Sequence, residues 1–372
     1  MFGLIAAQNY YTVYLIIVSI ISFGVCYIYN IKKVSITQPL KKKRTTIGVL
    51  LIAIFMAIFI GFRPESIVFV DTISYVKFYH FFYENKAFIF DKEAENLLFD
   101  NYLAWVGSQN LGTTFFFVSI AAIYFICTYI ACRRIFPQDT LAAYLVFLAA
   151  FSTFSYGTNG IKAGAAASIF LLAMSYRENL KICIPLILVS WGFHHSMIMT
   201  VVAFILTLIY KNSKVYFAAW CFCLLVAIAH ITFFQELFAE ILSDSGDSGA
   251  NYLSDVNSDW GGKTGFRIDF VIYSAMPILV GYWAVYKKRL QLSNIYICLL
   301  NLYMTLNGTW MLCMYANFTN RIAYLSWFLY PIVLIYPYLN ENWGPTRYKA
   351  FSLVMLAHLS FTLFMQFVFY RI

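Results

Sequence analysis

The segment ICIPLILVSWGFHHSMIMTVVAFILTLIY, Ile182 to Tyr210, runs apolar over 29 positions and carries Gly192, His194, His195 and Ser196 at its middle. A bilayer's hydrocarbon core is ~30 Å thick and is crossed by roughly 20 helical residues, so this segment is too long for a comfortable single span. It is either one tilted helix or a broken pair of half-helices. The choice sets the side on which every later loop lies, and charge decides it. If the segment enters and leaves on the same side, 17 of the 26 Lys and Arg residues collect at cytoplasmic ends: Lys32, Lys33, the Lys41 to Arg44 cluster, Arg133, Arg134, Arg177, Lys181, Lys211, Lys214, the Lys287 to Arg289 cluster, Arg347 and Lys349. If it crosses once, the split becomes 14 to 12, and the cytoplasmic excess of Lys and Arg that orients membrane proteins vanishes. The broken reading is adopted, with the break expected between Gly192 and Ser196.

Hydrophobic residues make up 62% of the 372 and charged residues only 12%, against roughly 25% charged in a soluble protein, which excludes a water-soluble fold. Further apolar runs lie near 10–29, 46–62, 111–131, 140–156, 161–176, 215–234, 268–286, 293–313, 321–339 and 350–370. The expected fold is all-α, a polytopic transmembrane helix bundle of about 10 full spans plus the broken or re-entrant pair, in a single transmembrane domain over 1–372. Without a basic leader or a small-residue cleavage pattern at Met1 to Asn9, the first span is kept as an anchor. Both termini then face outward, as do residues 63–110, with an amphipathic segment, and 235–267, with the acidic Gly/Ser-rich stretch Ser243 to Gly265. The cytoplasmic loops are short, so the work of the protein is expected on the outer face.

The net charge of +9 sits in short clusters at span ends, a topology signal rather than a nucleic-acid footprint. The eight cysteines lie in or beside apolar spans with no CxxC pair, so neither a disulfide framework nor a zinc site is indicated. Asp255, Asn257 and Asp259 begin like a calcium loop, but Trp260 replaces the needed Gly and Phe266 the bidentate Glu, which rejects an EF-hand. No internal repeat is evident, which disfavours an inverted-repeat transporter.

The informative residues are ionisable groups at the outer ends of spans. Arg63 ends the second span, and Asp71 and Tyr75 follow at i, i+4, on one face if residues 71–83 are helical. Asn159 and Lys162 open the span at 161, His194 and His195 occupy the break, Arg267 and Asp269 open the span at 268, and Asn320 and Arg321 open the span at 321. Three arginines and a lysine on one boundary suit an anion, because guanidinium groups grip phosphate in a bidentate way and helix N-termini add to the attraction. The structural alternatives are a snorkelling anchor for each arginine, pairing of Asp71 with Arg63 and of Asp269 with Arg267, and a helix-breaking hydrogen bond for one histidine. His230 and His358, within spans and away from charge, read as structural, and the Gly160, Gly164 and Ser168 stripe reads as close helix packing. The aromatics from Phe62 to Phe90 read as an interfacial belt, with sugar stacking as the functional alternative.

Gly61-Phe62-Arg63 followed by Asp71-Thr72 and Tyr75 is similar to the early signature of EpsG-like, Wzy-type bacterial polysaccharide polymerases. Asn159-Gly160-Ile161-Lys162 resembles that family's Asn-x-Ile-Arg element, Phe193-His194-His195-Ser196 its mid-chain His-Ser element, and Asn320-Arg321 its late Arg. Lys162 and Ala163 depart from the usual Arg and Gln, although Lys still holds phosphate as a point charge. The resemblance implies a GT-C-like integral membrane glycosyltransferase of the bacterial cytoplasmic (inner) membrane, working at the outer face on undecaprenyl-pyrophosphate-linked oligosaccharide repeats of an O-antigen, capsule or exopolysaccharide. Its implied partners are the lipid-linked donor and acceptor, membrane lipid and a chain-length regulator, with no nucleic acid.

Such chemistry needs an acceptor hydroxyl to attack the anomeric carbon of a donor whose leaving group is a lipid pyrophosphate. Arg63, Lys162, Arg267 and Arg321 are expected to neutralise that leaving group. His195 or Asp71, with His194 beside them, is the expected base. Tyr75, Asn159, Asp269 and Asn320 are expected to hydrogen-bond sugar or phosphate. No metal or other cofactor is expected, because guanidinium groups can do what a divalent cation does. A lipid-linked oligosaccharide flippase or transporter and an O-antigen ligase are the alternatives: the first would need charge along the depth of the bundle, the second differs only in its acceptor.

Overall fold

The computed structural model describes residues 5–31, 42–244, 265–316 and 319–369, and among these every regular element is helical. The α-helices are α1 Tyr10–Ile31, α2 Lys42–Gly61, α3 Val70–Phe78, α4 Leu97–Ser108, α5 Thr113–Ile135, α6 Thr140–Leu148, α7 Phe151–Thr158, α8 Ile161–Ser175, α9 Leu180–Phe193, α10 Met197–Ile209, α11 Ser213–Ile228, α12 Phe233–Asp244, α13 Ile268–Tyr282, α14 Asn294–Leu312, α15 Thr319–Trp327, α16 Tyr330–Leu339 and α17 Arg347–Phe367. Lys32, Lys33, Lys41, most of the acidic stretch and the Asp255 to Asp259 pattern lie outside the described residues.

Among the described residues six helices are long and apolar enough to cross a bilayer, or seven if α6 and α7 form one bent span. The chain is a polytopic helical membrane protein. Five further apolar stretches, Ile47–Gly61 within α2 and the helices Ile161–Ser175, Leu180–Phe193, Met197–Ile209 and Ser213–Ile228, hold 10–17 residues, and the last four measure about 20 to 24 Å at the α-helical rise, short of a ~30 Å core. The count of about ten full spans therefore exceeds what helix length supports, because an apolar run in sequence includes turn and cap residues that add no helical rise.

The stretch 140–156, expected as one span, is bent by 72° between α6 and α7. A break inside an apolar bundle frees carbonyls that have no water to turn to. Side chains satisfy them: from distant helices Tyr14 donates to Leu148 O at 2.7 Å and Thr362 to Ala149 O at 2.8 Å, and from α7 itself Thr153 donates to Phe147 O at 2.5 Å. His358 Nε2 meets Val146 O at 3.1 Å, so this histidine belongs to the same scaffold. His230 stands in the turn after α11 rather than inside a span, at φ 54, stacked on Tyr315 at 3.8 Å.

The long segment 182–210 is broken where its sequence suggests. Helix α9 ends at Phe193, His194 adopts an extended backbone (φ −153, ψ 117), and α10 starts at Met197. Residues 63–110 hold α3, a π-helical turn Tyr79–Tyr83 and α4, while α12 occupies the start of 235–267.

The chain divides into two compact units. The first comprises Met1–Ile198, Tyr338–Asn340 and Gly344–Ile372, the second Met199–Pro337 and Glu341–Trp343. In the first, close helix approaches depend on glycine: a Cβ on Gly61 would meet Val118 Cα at 2.6 Å, and one on Gly164 would meet Tyr156 O at 2.7 Å. One end of this unit holds Arg134 over the Tyr176 ring at 3.5 Å, Tyr29 donating to Asp139 at 2.8 Å and Asn340 donating to Ile135 O at 2.7 Å. Arg63 and α3 lie at the other end, beside the start of α5, where Thr113 bonds Glu65. The second unit is held by a buried polar chain, Trp220 to Asn307 at 2.8 Å, Asn307 to Ser326 at 3.1 Å and Trp327 to Ser274 at 2.7 Å, which ties α11, α14, α15 and α13 together without leaving these groups unpaired. Its basic end holds Lys288 donating to Trp343 O at 2.9 Å and Glu341 accepting from Ser293.

Candidate functional site

Arg63 follows the last turn of α2 and is only 4% exposed. Its Nε donates to Thr72 Oγ1 at 2.8 Å and its Nη1 to Ile60 O at 3.1 Å, while the guanidinium lies 4.3 Å from the centre of the Phe117 ring. Both acceptors are neutral. Its Nη2 is buried and makes no hydrogen bond among the described residues. Burial lowers the pKa to about 10, against the opposing influence of Tyr10, Asp71, Tyr75 and Glu65, so the group remains a cation at neutral pH. A buried cation with an idle donor costs free energy unless something anionic meets it.

The residues around Arg63 come from three elements. Asp71 opens α3, where the positive end of the helix dipole favours a carboxylate. Thr72, fully buried, passes the contact on by donating to Thr158 O at 3.3 Å, the last residue of α7. The end of α7 is thus joined to Arg63 through Thr72. Asn159 and Gly160 then turn the chain, both backbone N–H groups bonding Ser155 O, and α8 begins at Ile161. Asn159 Oδ1 is buried without a hydrogen bond among the described residues. Lys162 is half-buried in the first turn of α8, an end of a helix where a cation is unfavourable.

Tyr75, one turn after Asp71, packs its ring 5.4 Å from Phe99 of α4, and Phe99 lies 6.3 Å from Phe193 at the end of α9. This aromatic chain leads from α3 to the break at His194 and His195, whose rings meet edge to face at 5.2 Å. The His195 backbone N donates to Asn96 Oδ1 at 3.2 Å, its Nδ1 lies 3.3 Å from the same oxygen, and Glu95 Oε1 is 3.7 Å from Nδ1. The first unit thus brings Arg63, Asp71, Tyr75, Asn159 and Lys162 around α3 and the α7–α8 turn, with His194 and His195 joined through Phe99.

In the second unit Arg267 is the N-cap of α13 and already has its anion. Its Nε and Nη2 reach Asp269 Oδ1 and Oδ2 at 3.0 and 2.6 Å, and the guanidinium stacks 3.9 Å from the centre of the Phe270 ring. Asp269 is thereby committed to Arg267. The Arg267 backbone N points at Met314 Sδ at 3.4 Å. The same turn, residues 313–316, takes Thr319 Oγ1 on Cys313 O at 3.0 Å and packs against Ile322 through Cys313 and Ala316. Arg321, exposed, and Asn320, half-buried, lie between those two contacts. The segments bearing Arg267 and Arg321 therefore share one turn despite their separation in sequence.

Sequence reasoning did not single out Asn96, Glu95, Thr158 or Phe117. An Asn before an apolar helix is a signal for a helix start, which could have marked Asn96 as a cap of α4. Nothing local announces a partner 99 residues away.

Residues 46–371 match the model of the EpsG family. Neither the comparison with curated proteins nor that with solved structures gives a match.

Proposed function

The chain belongs to the EpsG family, and from that membership, which suggests a polysaccharide polymerase using lipid-linked sugars, we propose that it polymerises undecaprenyl-pyrophosphate-linked oligosaccharide repeats at the outer face of the bacterial cytoplasmic membrane by metal-independent glycosyl transfer. The observation that carries the reading is Arg63: a buried cation with neutral hydrogen-bond partners and an idle Nη2 among the described residues, at the end of the unit that also holds Lys162 in the first turn of α8. A pyrophosphate leaving group supplies the charge these residues lack. The acceptor hydroxyl oxygen attacks the anomeric carbon, the bond from that carbon to the pyrophosphate oxygen breaks, and the hydroxyl proton passes to His195, with Asp71 or His194 as the alternative base. Arg63 and Lys162 stabilise the negative charge that develops on the departing pyrophosphate. Tyr75 and Asn159 orient sugar and phosphate.

This reading keeps a GT-C-like bundle in which 182–210 enters and leaves on the cytoplasmic side. Cysteine labelling of residue 212 from the outer face would overturn that orientation. The function itself is tested by supplying defined lipid-pyrophosphate-linked repeats to the purified protein in bilayers: the expected product is a ladder of longer lipid-linked chains. Transfer to a different acceptor with no ladder would make it a ligase, and movement of repeats across the bilayer without extension would make it a flippase.

A further inference from the structure

Asparagine is among the preferred N-cap residues, because its side-chain oxygen accepts from the N–H groups of the first helical turn. Asn96 holds that position at the start of α4, yet its side chain makes no capping bond. It is fully buried, and its oxygen is turned instead to His195. The amide orientation follows from its partners. The backbone N–H of His195 can only donate, so the atom 3.2 Å away must be the oxygen. On its other side Asn96 Nδ2 donates to Asp100 Oδ2 at 3.3 Å, and the Asn96 backbone N donates to the same oxygen at 3.0 Å. A flipped amide would set two donors face to face at His195 and two acceptors face to face at Asp100.

His195 Nδ1 lies 3.3 Å from that same oxygen. An amide oxygen cannot donate, so Nδ1 must carry the proton, and the neutral ring then holds its lone pair on Nε2. We infer that Asn96, anchored by Asp100, is a positioning residue that fixes His195 as the Nδ1–H tautomer and so makes Nε2 the atom that takes the acceptor's proton. The catalytic consequence rests on the reading of His195 as general base. The tautomer does not. The charged or titratable groups facing His195 include Glu95 at 3.7 Å from Nδ1, Asp100 behind Asn96, and His194 edge to face at 5.2 Å.

In the reaction the acceptor O–H proton moves to Nε2 as the new carbon–oxygen bond forms and the carbon–pyrophosphate bond breaks. The imidazolium keeps its Nδ1–H on Asn96 and releases the Nε2 proton to water.

The test uses the full chain in lipid nanodiscs, labelled with ¹⁵N-histidine and assigned with a His195→Gln control. Wild type is expected to show a protonated Nδ1 and a pyridine-type Nε2 for His195. Asn96→Leu and Asn96→Ala, which remove the acceptor from Nδ1, should each mix the tautomers and lower turnover more than they change the donor KM. An Nε2–H tautomer in wild type, or a His195 spectrum indifferent to both substitutions, would overturn the inference. If the spectra behave as expected while no variant, nor wild type, extends chains, the positioning stands and the polymerase reading falls.

Discussion

Arg63 and Arg267 are both arginines at helix ends, both stacked on a phenylalanine, and they differ in what answers their charge. Arg267 is closed by Asp269 through two bonds of 3.0 and 2.6 Å, a fork-to-fork pair that leaves little field for a ligand. Arg63 has only a threonine hydroxyl and a main-chain carbonyl, and its Nη2 is buried and idle. The fold binds a carboxylate directly to Arg267 and leaves Arg63 with neutral hydrogen-bond acceptors and only the field of Asp71 and Glu65. The lesson is that a cation left open by its own fold is a better candidate for gripping a substrate anion than one the fold has already paired.

That contrast ranks the expected effects of substitution. Arg63→Ala should all but abolish polymer, by 10²- to 10³-fold on the scale of one lost oxyanion donor (~2.7–4 kcal/mol), with the protein still present in the membrane by immunoblot. Arg321→Ala should fall in the same range, and Arg321→Lys should be intermediate because it keeps the charge and loses the two-pronged geometry. Next comes His195→Ala, expected to slow extension about 100-fold, the lower end for a lost general base; a rate within a factor of two of wild type would move the base to Asp71. Thr72→Asp converts Arg63 into a copy of the Arg267 arrangement, and a drop of about tenfold in extension, with folding preserved by circular dichroism, would show that an internal carboxylate competes with the ligand. Arg267→Ala should be the mildest, a few-fold, since Asp269 already neutralises it; a loss as large as that of Arg63→Ala would erase the contrast.

Parts of this were legible in the sequence for local reasons. The break at residues 194–196 announces itself through Gly192, two histidines and Ser196 inside an apolar run, and α9 and α10 end and begin there. The Asp71 and Tyr75 spacing reads as one helical face, and α3 places both near Arg63. The bend at Ala149 and Ala150 has no such signal. Two alanines favour a helix, and the bend is held by Tyr14 and Thr362, 134 and 213 residues from their acceptors. Helix lengths were overread for a related cause, because hydropathy counts apolar residues whether or not they contribute rise along a helix. Asn96 was invisible for the same reason as the bend: its role depends on a contact that only the folded chain creates.

The account's central claim is that Arg63 acts on the pyrophosphate as it departs, more than on the donor at rest. The most direct measurement is therefore single-turnover cleavage of a saturating lipid-pyrophosphate-linked donor, alongside donor binding, for wild type and Arg63→Ala in the same bilayers. The account predicts that cleavage slows by 10²-fold or more while donor affinity changes far less, as expected for an interaction realised in the transition state. Cleavage at the wild-type rate, or a loss confined to donor binding, would contradict it.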